Sequence, residues 1–205
     1  MRFLPHAGMA AVVVSLASCN TMSKEECVIA DWRVVGDTDG AAGYNPQNRF
    51  ADHVKSCSKS GAIPDQTRWY EGYQTGITRY CTPLSGTTTG EAGRAYHNVC
   101  SPELEPAFMR GYSLGKRVYD LRSRIGSLQS GISSRDSEID RLHDEMKAAK
   151  DNDRRNIRDR IDDMERERRR MRREADDLGY ELTNAERDLE FFRHDPTARL
   201  SPPGY

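Results

Sequence analysis

Residues 69–80 read WYEGYQTGITRY, and residues 108–119 repeat their pattern as FMRGYSLGKRVY at a constant offset of 39 positions. On a helix, glycines four residues apart share one face and form a flat strip that lets another backbone approach closely. The repeat therefore predicts tight helix packing in a small helical domain. The alternative is that its aromatic side chains line a site for a sugar or a peptide.

Three helices are predicted around this repeat in the first half of the chain. The first runs from Ser23 to Val35 behind a capping box, the second from residue 46 or 47 to 60, and the third from residue 65 to 80. Glycine and proline are breakers, so the loops are placed where they occur. These positions are Gly36, Gly40, Gly43, Pro46, Gly61 and Pro64.

Residues 1–18 are typical of a lipoprotein signal peptide. Arg2 precedes an apolar run over residues 8–16, and the sequence Leu-Ala-Ser that ends at Ser18 leads directly into Cys19, as in a bacterial lipobox. Cys19 is then expected to carry a diacylglyceryl group, whose chains anchor firmly because each buried methylene contributes about 0.8 kcal/mol. The residue after Cys19 is Asn20 and not Asp, which resembles the outer-membrane default of proteobacterial lipoproteins. A lipid anchor in the outer membrane is therefore predicted, with the protein facing the periplasm, and exposure on the cell surface is the alternative.

Four further cysteines predict two disulfides in this oxidising compartment. They are Cys27, Cys57, Cys81 and Cys100, and the sequence leaves all three connectivities open. If the segments around Cys27 and Cys57 are antiparallel helices, these two lie at one end and the other two close a glycine-rich loop. A zinc site is the weaker alternative because no C-x-x-C pair occurs. No metal and no cofactor is predicted.

This pattern resembles the proteobacterial lipoproteins grouped as domain of unknown function family 2799. The resemblance covers roughly residues 17–120 and includes the lipobox, the four cysteines and the glycine-aromatic segments. The family carries no assigned activity, so the resemblance implies the envelope location and the disulfides but transfers no catalytic residue.

Composition argues against nucleic-acid binding and against a membrane-spanning helix. The 205 residues carry 31 Lys and Arg against 32 Asp and Glu, so the net charge of -1 gives no bulk attraction to nucleic acid. No apolar run approaches the roughly 20 residues that a spanning helix needs.

A change in composition near residue 112 predicts a domain boundary. Residues 19–112 are rich in Gly, Tyr and Trp, whereas residues 113–193 are dense in Arg, Asp and Glu. We therefore expect a disulfide-containing helical head (19–112), a helical arm (113–193) and a disordered tail (194–205).

The arm carries two apolar heptad seams that are out of phase across residues 150–153. Folding the chain back there sets Leu142 opposite Ile161 and Arg135 opposite Arg168. The predicted fold class is accordingly mainly α, a small disulfide-stapled helical head followed by a long antiparallel helical hairpin (coiled coil). One long helix that dimerises is the alternative. The seams are Leu114, Val118, Leu121, Ile125, Leu128, Ile132, Ile139, Leu142 and Met146, then Ile157, Ile161, Met164, Met171, Ala175, Leu178, Leu182, Ala185, Leu189 and Phe192.

The arginine-rich tract at residues 166–173 is predicted to be a solvated coiled-coil face. Acidic residues interrupt it, and pairs such as Glu165 with Arg169 have the i, i+4 spacing of helical ion pairs.

No catalytic signature is present, since the sequence has neither G-x-S-x-G nor H-E-x-x-H. His53 is predicted to be a helix-face histidine beside a disulfide. Glu91 and His97, with Arg94 and Tyr96 near them, form the one constellation that a test of catalysis would address. The alternative for them is a polar disulfide loop.

The sequence favours a non-enzymatic, outer-membrane-anchored lipoprotein with a structural or protein-interaction role in the cell envelope. Its partners would be the membrane, through the anchor, and an envelope protein, through the coiled coil. The alternative is a small glycan- or peptide-binding module that uses head aromatics, with Trp69, Tyr73, Tyr96 and Tyr112 as candidate binding residues.

Overall fold

The computed structural model of the protein describes residues 21–197, and in this range it contains seven helices and no strand. The mainly α fold class is therefore confirmed. The predicted signal peptide, Cys19 and the end of the tail lie outside the described residues. The helices are α1 Lys24–Ile29, α2 Trp32–Ala41, α3 Pro46–Cys57, α4 Gln66–Tyr80, α5 Pro83–Glu91, α6 Glu105–Ala148 and α7 Asp151–His194.

The capping box at Ser23 is present, but the single helix predicted from Ser23 to Val35 is wrong. The Glu26 N–H donates to Ser23 Oγ, and the Ser23 N–H donates to the Glu26 carboxylate. The helix ends at Ile29, and Asp31 caps α2 by accepting the Arg33 N–H at 3.0 Å. A second good cap inside the run thus starts a new helix.

Gly36 and Gly40 were predicted to lie in loops, and this is wrong because both lie within α2. Their open faces lie against the backbone of Trp69, Tyr73 and Ile77 of α4, so closely that the two helix backbones touch. A Cβ on Gly36 would lie 1.8 Å from the Trp69 carbonyl oxygen. Tertiary contact between two helices therefore offsets the helix-breaking tendency of glycine.

The stretch between Cys81 and Cys100 was predicted to be a loop, whereas it contains α5. Thr82 caps this helix and Pro83 occupies its first turn, where the missing N–H costs nothing. Gly86 and Gly90 of α5 lie against the α6 backbone, and Gly111 and Gly115 of α6 lie against the α5 backbone, with the same close approach. The two glycine-paired helix pairs, α2 with α4 and α5 with α6, form the head.

Both predicted disulfides are present and fix the ends of this arrangement. Cys27 bonds Cys57, which joins α1 to α3, and Cys81 bonds Cys100, which encloses α5. The head core between them is largely aromatic. Its buried members are Cys27, Trp32, Cys57, Trp69, Tyr73, Ile77, Tyr80, Cys81, Cys100 and Phe108.

The last two helices contact one another along their length and are separated only by Ala149 and Lys150. Two clusters fill the interface, one of Val118, Leu121, Ala185 and Leu189, the other of Ile139, Leu142, Ile157 and Ile161. Helix α6 has 44 residues and is continuous through the composition change at residue 112, so it is shared by the head and the arm.

Arginines within the apolar seam each find a carboxylate on the facing helix. Arg135 binds Glu167 and Arg168 binds Asp136, both at 2.7 Å. In the arginine-rich tract, Arg169 binds Glu165 at 3.0 Å along the same helix. These three arginines are therefore each paired with an acidic residue, either across the two arm helices or along one of them. None of the helices between residues 21 and 197 is long and apolar enough to cross a bilayer.

Candidate functional site

A buried carboxylate, Asp39, joins three helices of the head. Its side chain is almost fully enclosed, and its Oδ1 accepts a hydrogen bond from Arg49 Nε at 2.7 Å. Its Oδ2 is paired with His53 Nε2 at 2.7 Å and accepts from Trp69 Nε1 at 3.0 Å. Because α2 carries Asp39, α3 carries Arg49 and His53, and α4 carries Trp69, one side chain links all three.

The surroundings of Asp39 favour its charged form. Burial raises the pKa of the Asp39 carboxyl, but the hydrogen bonds from His53, Arg49 and Trp69 outweigh burial, so the pKa lies below its ordinary value. An ionised carboxylate only accepts hydrogen bonds, so the His53 Nε2 atom carries the proton that points to Asp39.

The other ring nitrogen of His53 contacts Thr21, the first residue that the structure describes. His53 Nδ1 lies 3.0 Å from Thr21 Oγ1, which in turn lies 3.1 Å from Ser56 Oγ. The Thr21 backbone N–H also donates to Ser56 Oγ at 3.0 Å. We call Asp39, His53, Ser56 and Thr21 the N-terminal clasp.

The carboxylate–imidazole–hydroxyl order of the clasp is also the order by which hydrolases activate a nucleophile. A catalytic imidazole must be reached by the substrate, and here His53 is 1% exposed and Asp39 is 2% exposed. Two of the three hydrogen bonds at Asp39 come from Arg49 and Trp69, which have no role in a carboxylate–imidazole–hydroxyl relay. The geometry therefore suits fastening of a chain segment rather than proton transfer to a substrate.

Residues 31–117 match the family model described as a protein of unknown function (DUF2799). The resemblance expected from the sequence is thus confirmed over most of the head, from the cap of α2 into α6. No curated protein and no solved structure matches the chain. The matched segment includes Asp39, His53 and Trp69, whereas Thr21 and most of the arm lie outside it.

The four candidate aromatic residues fall into two pairs, and one pair is inside the core. Trp69 and Tyr73 are at most 2% exposed, and their rings stack at 5.2 Å. Burial raises the pKa of Tyr73 to about 12, and its hydroxyl donates to the Tyr44 carbonyl at 2.7 Å. Both therefore pack the helix pair and are inaccessible to a ligand at the surface.

The second pair, Tyr96 and Tyr112, is half-buried at the edge of the same core. The Tyr112 hydroxyl donates to the Arg94 carbonyl at 3.0 Å, and the Tyr96 hydroxyl donates to Glu105 Oε1 at 3.0 Å. The side of Tyr112 also lines a shallow groove of about 600 Å³ that α6 shares with Leu178 of α7.

The structure does not combine Glu91 and His97 into one site. The Glu91 carboxylate forms ion pairs with the guanidinium groups of Arg122, at 3.1 Å, and Arg193, at 2.5 Å. These two pairs connect the end of α5 to both arm helices. Burial raises the pKa of Glu91, and the two guanidinium groups outweigh it, so the net shift is downward. His97 instead lines a separate cleft of about 310 Å³ beside Tyr44 and Tyr80.

Sequence reasoning missed the Asp39 cluster because it placed α2 partly in a loop. A signal was present in α3, where Arg49 and His53 stand four residues apart and so share a helix face. Two side chains with hydrogen-bond donors on one helix face can share a single buried acceptor, as they do at Asp39. Among residues 21–197, no group of three or more His, Cys, Asp or Glu side chains is arranged to hold a metal ion.

Proposed function

We propose that this protein is a periplasmic lipoprotein, anchored in the outer membrane through Cys19, with a structural or protein-interaction role in the cell envelope and no catalytic role. Its arm would be an antiparallel coiled-coil hairpin that holds a contact surface at a fixed distance and direction from the head.

The continuity of α6 is the observation that carries this proposal. The first turns of α6 are locked into the head by the contacts of Gly111 and Gly115 with α5, and the same helix then extends to Ala148. At 1.5 Å per residue its 44 residues span about 66 Å. A helix without a break transmits the orientation of the head to the far end of the arm.

Side-chain contacts at the base of the arm support the same role. Glu91 of the head binds Arg122 of α6 and Arg193 of α7, so both arm helices are fixed to α5. Farther out, Tyr180 leaves 76% of its surface exposed on an otherwise strongly charged helix. An exposed aromatic ring on a charged rod is a suitable anchor for a protein partner.

The anchor is tested by changing the acceptor cysteine. Cys19→Ser should abolish incorporation of a labelled fatty acid and leave an unprocessed precursor. Ser18→Ala, which keeps a small residue before Cys19, is the matched control and should label normally. Unchanged labelling and membrane fractionation of the Cys19→Ser protein would contradict the anchor.

The role of the arm is tested by photocrosslinking in cells. A photoreactive amino acid at Asp151, at the far end of the arm, or at Tyr180 should capture one discrete protein, whereas the same group at Ile63 in the head loop should not.

Removing residues 126–132 together with 171–177 shortens the arm by about 10 Å and keeps the seams in phase. The crosslink from position 151 should then be lost. Crosslinks from position 63 alone would contradict an arm-mediated contact.

A further inference from the structure

The N-terminal clasp fixes the chain two residues after the proposed lipid attachment site. Thr21 is held through its backbone N–H by Ser56 and through its hydroxyl by His53 and Ser56. His53 and Ser56 are buried, at 1% and 8% exposure. Thr21 is therefore fastened to the interior of the head rather than starting a free tether.

Covalent geometry then limits the distance between the head and the bilayer. Two residues span at most about 7 Å when fully extended. The headgroup layer on each side of a bilayer is about 5–8 Å thick. If Cys19 carries acyl chains in the membrane, the part of the head around Thr21 must lie at the level of the lipid headgroups.

Two large apolar side chains at the end of α1 are exposed. Val28 is 67% exposed and Ile29 is 83% exposed at the end of α1. Their neighbour Cys27 faces inward and is bonded to Cys57, whose Cα lies 5.5 Å away, and Cys57 follows Ser56 of the clasp. One hydrogen bond, one disulfide and two peptide units thus connect Thr21 to Val28, a path of about 20 Å at most.

We propose that the α1 surface formed by Val28 and Ile29 rests in the membrane leaflet that holds the lipid anchor. This inference rests on the proposed function, because it requires an acylated Cys19. The clasp keeps the head close to the bilayer. Burial of the two side chains at the headgroup boundary removes their apolar surface from water. Contact at this end sets the direction in which the head and α6 leave the membrane.

Fluorescence quenching of the full-length acylated protein tests the contact. The protein is reconstituted in phosphatidylethanolamine and phosphatidylglycerol vesicles that contain a phosphatidylcholine brominated near the headgroup end of its acyl chains. Ile29→Trp and Tyr180→Trp each add one indole to the native Trp32 and Trp69 background, and Tyr180 is an exposed arm residue. We expect about twofold or greater extra quenching for Ile29→Trp, since interfacial side chains lie about 5–10 Å into the boundary.

The length of the tether supplies the control within the same protein. A Gly-Ser insertion of about eight residues between Asn20 and Thr21 adds up to about 28 Å of reach. Quenching of Ile29→Trp should then fall to the level of Tyr180→Trp. If it persists with the insertion, the clasp does not position α1 and that part of the proposal is overturned.

A failure of the membrane-facing surface can be distinguished from a failure of the proposed lipid anchor. An acylated protein that floats with the vesicles but shows no extra quenching at position 29 overturns the membrane-facing surface alone. Mass spectrometry that finds no diacylglyceryl group on Cys19 overturns the proposed anchor and this surface with it.

Discussion

Gly36 and Trp69 are in backbone contact, and a Cβ on Gly36 would lie 1.8 Å from the Trp69 carbonyl oxygen. Trp69 has a second tie to the same helix, because its indole N–H donates to Asp39. Gly86 and Phe108 repeat the contact in the second helix pair, where the corresponding distance is 2.2 Å. The head is therefore built on helix pairs that only glycine allows to approach.

Replacing a contact glycine should destabilise the head, whereas replacing an uncrowded one should not. Gly36→Ala forces a methyl group into backbone that cannot move aside, and we expect a loss of about 1–3 kcal/mol in the free energy of unfolding. Gly179→Ala is the matched control, because nothing lies within 4 Å of its Cβ position in α7. It should stabilise by about 0.5–1 kcal/mol. Equal effects in thermal or denaturant unfolding would contradict the contact.

Removing the charge of Asp39 should destabilise the protein and change its behaviour in acid. Asp39→Asn places an amide donor against groups that already donate, and we expect a loss of roughly 3–5 kcal/mol at neutral pH. Asp37→Asn is the control, since Asp37 pairs with Arg79 at the surface and should cost at most about 1 kcal/mol.

The pH dependence follows from the lowered pKa of Asp39. Its contribution to stability is fully present above the unfolded pKa of about 4 and is lost as pH falls through the lower folded pKa. Denaturant unfolding measured below pH 4 should therefore show a steeper loss in the unchanged protein than in Asp39→Asn. Parallel curves would show that Asp39 does not contribute a depressed pKa.

Both disulfides should stabilise the exported protein against unfolding. In the chain-entropy account, the bond between Cys27 and Cys57 contributes about 3.5 kcal/mol and that between Cys81 and Cys100 about 3 kcal/mol, because the loops they close differ in length. Alkylation without reductant should modify none of the four thiols. A stoichiometrically alkylated Cys27 or Cys81 in mass spectrometry would refute the pairing.

The proposed hairpin predicts which arm positions meet within one chain. Leu142 and Ile161 belong to one buried cluster, whereas in one continuous helix they would lie about 28 Å apart. Leu142→Cys with Ile161→Cys should crosslink within a monomer on oxidation. Leu142→Cys with Met171→Cys is the control, because Met171 lies against Gly131 instead. Crosslinked dimers alone would favour the long dimeric helix.

Local signals in the sequence were sufficient for several helix boundaries. Asp65 before α4 and Asn45 before Pro46 of α3 are side chains that accept the first free N–H groups, and the helices begin there. The same local reasoning failed at Gly36 and Gly86, because the energy that keeps glycine helical comes from a partner helix that is distant in the sequence.

The sequence by itself determined the helical class, the even set of four cysteines, the two apolar seams of the arm and the family resemblance, because these depend on residue type and short spacing. Only the tertiary structure decided that Asp39, His53 and Trp69 meet, and that Thr21 is fastened to His53. The physical reason is that each of these groups lies on a different helix or segment. Their hydrogen bonds require α2, α3 and α4 to be packed against one another, so they depend on residues that are distant in the sequence.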